Sequence, residues 1–243
     1  MALRTIPLLK SCLSTLPAEL TSEIIANDLP VCSEAPAGYY LSCANDALVL
    51  HTDEGETIQP LLSRPQRFSA RQPLLRALAP ARGGTIIDAT AGLGEDSLKL
   101  AMVADKVYAI ERNPVVFLLL LSALLKAQAE GIADAEKIDA RFGDAISLLG
   151  ELPQADLIYM DPMFPAKRKR SALPPKSVRI LRELVGDDID DVKLLAAARL
   201  HARRRVVVKR PLHAAPLADD HVALHKGKVV RYEVYLPARK DHE

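Results

Sequence analysis

The sequence predicts a Rossmann-like α/β fold, with a mostly parallel sheet and an antiparallel hairpin at its C-terminal end. Three observations predict it. Short apolar β-branched runs alternate with helical stretches from Thr85 to Val208. The first of these runs, Thr85-Ile-Ile-Asp88, leads into Ala89-Thr-Ala-Gly92-Leu-Gly94, a loop whose glycines let the backbone turn tightly beside a ligand. The last stretches, Val222–His225 and Val229–Leu236 around Lys226-Gly-Lys228, alternate as a hairpin does.

The elements follow in order. Residues 1–63 carry eight acids against Arg4 and Lys10 and no glycine motif, which marks them as a small N-terminal module. Within it, Tyr39-Tyr-Leu41 and Ala47-Leu-Val-Leu-His51 read as a hairpin. Arg64–Arg71 is a basic connector, and Gln72–Ala79 reads as a short helix closing at Pro80. The second domain, 64–243, then begins its strands. After the glycine loop a helix opens at Asp96 or Ser97, and Lys106–Ile110 forms the second strand, ending at Glu111. Pro114 suits the first position of a long apolar helix to about Ala129. A third strand near Lys137–Phe142 precedes Gly143-Asp144 and a short helix to Leu149. Ala155–Met160 is the fourth strand, ending in Asp161-Pro-Met-Phe-Pro165. Helical stretches near Ser177–Leu184 and Asp190–Ala202 lead to a fifth strand, Arg205–Lys209.

Composition narrows the function classes. Nearly half the chain is apolar, yet no run is long enough to span a membrane. Pro7, Lys10, Ser11 and Ser14 interrupt the N-terminal stretch, so it reads as no signal peptide and the protein as cytoplasmic. Cys12, Cys32 and Cys43 match no metal spacing, and His221 and His225 fall in a strand; no metal is expected. Nothing in the sequence sets an oligomeric state. The basic residues come in acid-free runs at Arg64–Arg82, Lys167–Arg182 and Arg203–Arg210. Three such runs in one domain point to a polyanionic substrate.

Chemistry concentrates at the strand tips. A dinucleotide fingerprint would place glycine where Ser97 stands. Instead the tips present Asp88, Glu111, Asp144 and Asp161, with Glu111 nineteen residues beyond Gly92, a spacing suited to gripping ribose hydroxyls. Such acids repel a pyrophosphate and attract a cationic, ribose-bearing group, so S-adenosyl-L-methionine fits better than a nicotinamide dinucleotide. Asp96 suits either a cofactor contact or a helix cap. In Asp161-Pro162-Met163-Phe164, the carboxylate and the Pro162 carbonyl suit the protons of an exocyclic base amine, and Phe164 suits its ring plane. Among the cations, Lys167, Arg168, Lys169, Arg170, Lys209 and Arg210 are expected to hold RNA phosphates.

Four strings carry a resemblance: Asp88-Ala-Thr-Ala-Gly-Leu-Gly94; Glu111-Arg-Asn-Pro-Val-Val116; Asp161-Pro-Met-Phe-Pro165 with Lys169-Arg-Ser-Ala-Leu173; and Val206-Val-Val-Lys-Arg-Pro211. In that order, over about 64–236, they resemble the bacterial ribosomal RNA small-subunit methyltransferase J family. The resemblance implies a class I S-adenosylmethionine enzyme that methylates N2 of a guanosine in small-subunit (16S) rRNA, with the rRNA or the 30S particle as partner. It implies that Glu95, Asp96, Glu111, Arg112, Asp144, Ala145 and Asp161 line the cofactor pocket. Glu95 stands where the family usually has arginine. An adenine-N6 or other base-amine methyltransferase, or an RNA-binding protein that keeps the pocket without turnover, are the alternatives.

Overall fold

The computed structural model describes residues 6–64, 71–162 and 190–238. Ser177–Leu184, expected as a helix, lies outside them, as do Met163, Phe164 and the basic residues Lys167–Arg170.

Near the N-terminus, β1 (Leu8–Leu9), α1 (Ala18–Ala26), β2 (Val31–Cys32), β3 (Tyr40–Ala44), β4 (Ala47–His51) and β5 (Thr57–Ile58) build a small mixed sheet of order β2-β1-β3-β4-β5. The expected hairpin is β3–β4, paired from Tyr40↔His51 to Ala44↔Ala47. Its two turn residues, Asn45 and Asp46, both adopt positive φ, the conformation a two-residue hairpin loop demands.

The remaining strands form the larger sheet. They are β6 (Thr85–Asp88), β7 (Lys106–Glu111), β8 (Ile138–Phe142), β9 (Leu157–Met160), β10 (Arg205–Pro211), β11 (Ala223–Lys226) and β12 (Val230–Tyr235). Their order is β11-β12-β10-β9-β6-β7-β8. Pairings from β8 through β10 are parallel, and β10–β12 and β12–β11 are antiparallel. The chain leaves β6 toward β7 and β8, then returns to β9 on the other side of β6. That reversal opens a crevice above the carboxyl ends of β6 and β9.

Two-residue periodicity assigns the faces. Ile86, Leu157, Tyr159 and Val207 pack on one side with α2 (Pro73–Leu78), α3 (Glu95–Ala101) and α4 (Pro114–Ala129). Ile87, Ile158, Met160, Val206 and Val208 pack on the other with α5 (Ala145–Leu148) and α6 (Asp191–His201). Consequently Asp88, Asp161 and Lys209 share the α3 side, whereas Arg210 falls on the α6 side.

Helix α4 occupies a special place. Pro114 opens it and Asn113 caps it, its side chain accepting from Val115 N at 3.0 Å and Val116 N at 3.2 Å. The helix is apolar nearly all round, the pattern of a helix buried on every side. Leu120, Ala123 and Leu124 join the larger sheet's core. Val115, Phe117, Leu118 and Leu119 join the core under the small sheet, beside Leu8, Leu20, Leu41 and Leu50.

Boundaries moved where local chemistry intervened. Helix α3 starts at Glu95 rather than Asp96 or Ser97, because Gly94 takes a left-handed conformation (φ 87°) as its N-cap. Strand β10 runs to Pro211, two residues past the expected end, since β12 continues to pair with it through Pro211↔Val230.

Candidate functional site

The carboxyl ends of four strands, β6, β7, β8 and β9, and the starts of α5 and α6 line a pocket. Of the residues expected there, Gly92, Glu111, Arg112, Asp144, Ala145, Asp161 and Pro162 line it. Thr90, Ile110 and Ile146 also line it, as do Asp190, Asp191 and Leu194 from the start of α6. Sequence reasoning assigned none of these six to the site, and the last three come from an element it did not connect with the pocket. Their only signal was a pair of acids opening a helix, which reads equally well as capping.

Glu111 ends β7 with its carboxylate already oriented. Oε2 accepts from Gly92 N at 3.0 Å and Oε1 from Asn113 N at 2.8 Å. Burial raises its pKa, and the two amides partly offset that rise. Each oxygen keeps a further lone pair, enough for a pair of ribose hydroxyls. Opposite it, Asp144 caps α5 by accepting from Ser147 N at 3.2 Å. Thr90 Oγ1 accepts from Asp161 N at 2.6 Å, tying the glycine loop to the tip of β9.

Asp88, Gly94, Glu95 and Asp96 do not line this pocket. Asp88 lies beneath the loop, accepting from Ser97 Oγ at 2.6 Å and Thr90 N at 3.2 Å. Ser97 therefore replaces a fingerprint glycine with a donor that the buried carboxyl uses. Glu95 faces a separate groove formed with Leu61, Leu62 and Lys99. Asp96 sits inside the protein: Oδ2 accepts from Tyr159 Oη at 2.6 Å and Lys209 Nζ at 2.7 Å, and Oδ1 from Lys99 Nζ at 2.7 Å.

Lys209 and Arg210, expected as phosphate ligands, are both engaged within the protein. Lys209 Nζ donates to Asp96 Oδ2 and Asp161 Oδ2, each at 2.7 Å. Burial would lower its pKa, but the two carboxylates more than reverse that, so it stays charged. Burial likewise acts to raise Asp96, yet Lys209 and Lys99 hold its carboxyl far below the usual range. At Asp161 the balance tips the other way, and burial leaves the carboxyl somewhat raised despite Lys209. Arg210, on the opposite face, is buried, donates to the Ala215 carbonyl at 2.6 Å and approaches Asp191 at 3.7 Å.

The donor set fits the expected cofactor. Glu111, Asp144, Asp161, Asp190 and Asp191 face the cavity against the one cation Arg112 among its described lining residues. That surface suits a positively charged ligand with hydroxyls and opposes a diphosphate. Among the described residues, no cluster of His, Cys, Asp or Glu is arranged to hold a metal ion.

Comparison with known proteins agrees. A family model described as a putative SAM-dependent methyltransferase matches residues 61–237. The chain is 41% identical over 183 residues to ribosomal RNA small subunit methyltransferase J of Thioalkalivibrio sulfidiphilus, a match spanning 71% of each chain. It is 49% identical over 156 residues to the protein of that name from Coxiella burnetii (strain Dugway 5J108-111), covering 63% of this chain and 60% of that one. The crystal structure of a SAM-dependent methyltransferase from Neisseria gonorrhoeae superposes with a TM-score of 0.73 at 30% identity, over 97% of this chain and 99% of that one. That superposition takes in the small N-terminal sheet as well as the larger one. The chain therefore belongs to the ribosomal RNA small subunit methyltransferase J family of enzymes, with S-adenosylmethionine as cofactor.

Proposed function

We propose that this enzyme methylates the exocyclic N2 amine of a guanosine in small-subunit ribosomal RNA, acting in the cytoplasm on the rRNA or the 30S particle. One observation carries the reading: Asp161 and Pro162 stand at the tip of β9, on the wall of the acid-lined pocket. The names of the relatives supply the ribosomal substrate.

S-adenosylmethionine, when bound, supplies a methyl group activated by its sulfonium. The chain's own residues then have three tasks. Glu111 accepts the ribose hydroxyls, and Asp144 with Ala145 borders the adenine side. Asp161 accepts an N–H of the guanine amine, whose lone pair is otherwise delocalised into the ring, and takes up the proton that the methylated amine must lose. The Pro162 carbonyl is the second acceptor, and Phe164 stacks on the base. Lys167, Arg168, Lys169 and Arg170 contact phosphates, fixing register rather than sequence. The target base has to leave its stack to reach Asp161, at a cost of a few kcal/mol in paired RNA. In this reading residues 64–243 carry the reaction, and the 1–63 module supports them through α4.

The test is transfer of a labelled methyl group to 30S particles or naked small-subunit rRNA from cells lacking the modification. The parent should yield N2-methylguanosine on nucleoside analysis, and N6-methyladenosine would overturn the assignment. Asp161→Ala should lower kcat by about 10²–10⁴-fold. A variant that turns over at the parent rate removes Asp161 from the mechanism.

A further inference from the structure

Lys209 lies between two carboxylates. Its Nζ reaches Asp161 Oδ2 and Asp96 Oδ2, both at 2.7 Å. Asp96 is itself fixed, with Tyr159 Oη on the same oxygen at 2.6 Å and Lys99 on the other at 2.7 Å. Three elements, β10, α3 and β9, thus hold one ammonium group. Asp161 is tethered twice, by Lys209 on Oδ2 and through its own N–H to Thr90. Among the described residues Oδ1 of Asp161 carries no hydrogen bond, and this residue lines the pocket.

We infer that Lys209 is a positioning residue for the methyl-transfer reaction: it locks the Asp161 carboxylate in one rotamer, keeps it ionised, and leaves Oδ1 for the incoming base amine. The inference rests on the reading of Asp161 as the amine's acceptor. A protonated Asp161 has lost the capacity to take the amine's proton, and an untethered one turns about its χ2. Lysine's three protons allow both bridges at once, and the second carboxylate keeps the ammonium charged in a half-buried site. Among the described residues, the groups facing Asp161 are Lys209 from β10, Asp96 and Lys99 from α3, Asp88 from β6, Tyr159 from β9 and Tyr232 from β12. Lys209 is the cation in direct contact; its removal leaves Lys99, held on Asp96, as the one remaining cation among the acids and phenols described there.

The test is the pH–rate profile of Lys209→Met beside the parent, with S-adenosylhomocysteine affinity measured by calorimetry. The acid limb of kcat should move up by about 1–3 pH units while that affinity is unchanged. Lys209→Arg, which keeps the charge, should return the limb most of the way. Carbon-13 NMR of the Asp161 carboxyl, assigned with Asp161→Asn, should show the same upward move without any turnover. If Lys209 only braced α3 against β10, Lys209→Met would melt lower with the limb and the carboxyl resonance unmoved, and the proposal would fall. Should Lys209→Met not fold, the parent decides: an Asp161 carboxyl that titrates near neutrality with Lys209 in place overturns the inference. A fully active Asp161→Asn would instead sink the underlying reading of Asp161. An inactive Asp161→Asn beside an unshifted Lys209→Met profile sinks the role of Lys209 alone.

Discussion

Asp88 is 1% exposed, and that burial pushes its carboxyl up to about 7 even though Ser97 and Thr90 donate to it. The folded value lies above the ordinary 3.8. Its stabilising contribution is therefore fully present at low pH, and it is lost as pH rises through the window between about 4 and 7. Asparagine keeps the shape, accepting from Thr90 N and donating to Ser97 Oγ without a charge to bury. Asp88→Asn should match the parent's melting temperature near pH 4 and exceed it by about 2–6 °C at pH 8, measured by calorimetry. Glu111→Ala removes the acceptor on the pocket wall and takes the carboxylate away from the Gly92 and Asn113 amides. Its affinity for S-adenosylhomocysteine should fall about 10–100-fold in a calorimetric titration. That both acids end strands was legible, because each closes a short apolar run, and Glu111 keeps a ribose-binding distance from Gly92; the cofactor contact expected of Asp88 was misplaced, since its carboxyl turns to Ser97 and Thr90. The Lys209–Asp96 bridge was not legible, since its partners are 113 residues apart and meet only when β10 and α3 share a face. Two-residue alternation does separate Lys209 from Arg210, and applying it to the fifth strand would have put them on opposite sides.

At the scale of elements, the glycine loop lies close against α4. A Cβ on Gly94 would lie 2.5 Å from Leu120 Cδ1 of α4, and the residue holds φ at 87°. Gly94→Ala should combine backbone strain with overpacking and cost about 2–4 kcal/mol in urea denaturation. The start of α4 depends on its cap. Asn113→Ala forfeits two hydrogen bonds to main-chain amides and should cost about 1 kcal/mol, read in the same assay. From residue 72 on, the strand and helix identities of the described elements followed from periodicity, and Pro114 gave the start of α4 to the residue, whereas β1, α1, β2 and β5, short or weakly patterned, were not read. What shifted were ends governed by partners: β10 lengthened because β12 pairs with it, and α3 started early because Gly94 turned left-handed. The pocket's far wall, Asp190 and Leu194, belongs to an element whose placement no local pattern announces.

For the whole molecule, the decisive feature is that one helix serves two sheets. The small sheet covers Val115, Phe117, Leu118 and Leu119, and the larger sheet covers Leu120, Ala123 and Leu124. Leu118→Ala, at a site with no exposure, should cost about 2–5 kcal/mol. Deleting residues 1–63 would bare that apolar flank, and the product should aggregate on expression, as sedimentation would show. Acid lability is set at the same scale by the bridge across α3 and β10. Asp96 has a folded pKa below its unfolded one, so its contribution holds above about pH 4 and drains away as pH falls. The shared helix also limits how the protein can drift over generations. Some side chains along that rod answer to one sheet and the rest to the other, which leaves almost no free face and should narrow the tolerated alphabet to near-isosteric aliphatics in a saturation screen. Helix α6, with Val192 and Leu200 turned toward water, should accept far more. A change in one module that alters the rod's girth would then demand a matching change in the other, so the two halves of this chain are expected to evolve as one.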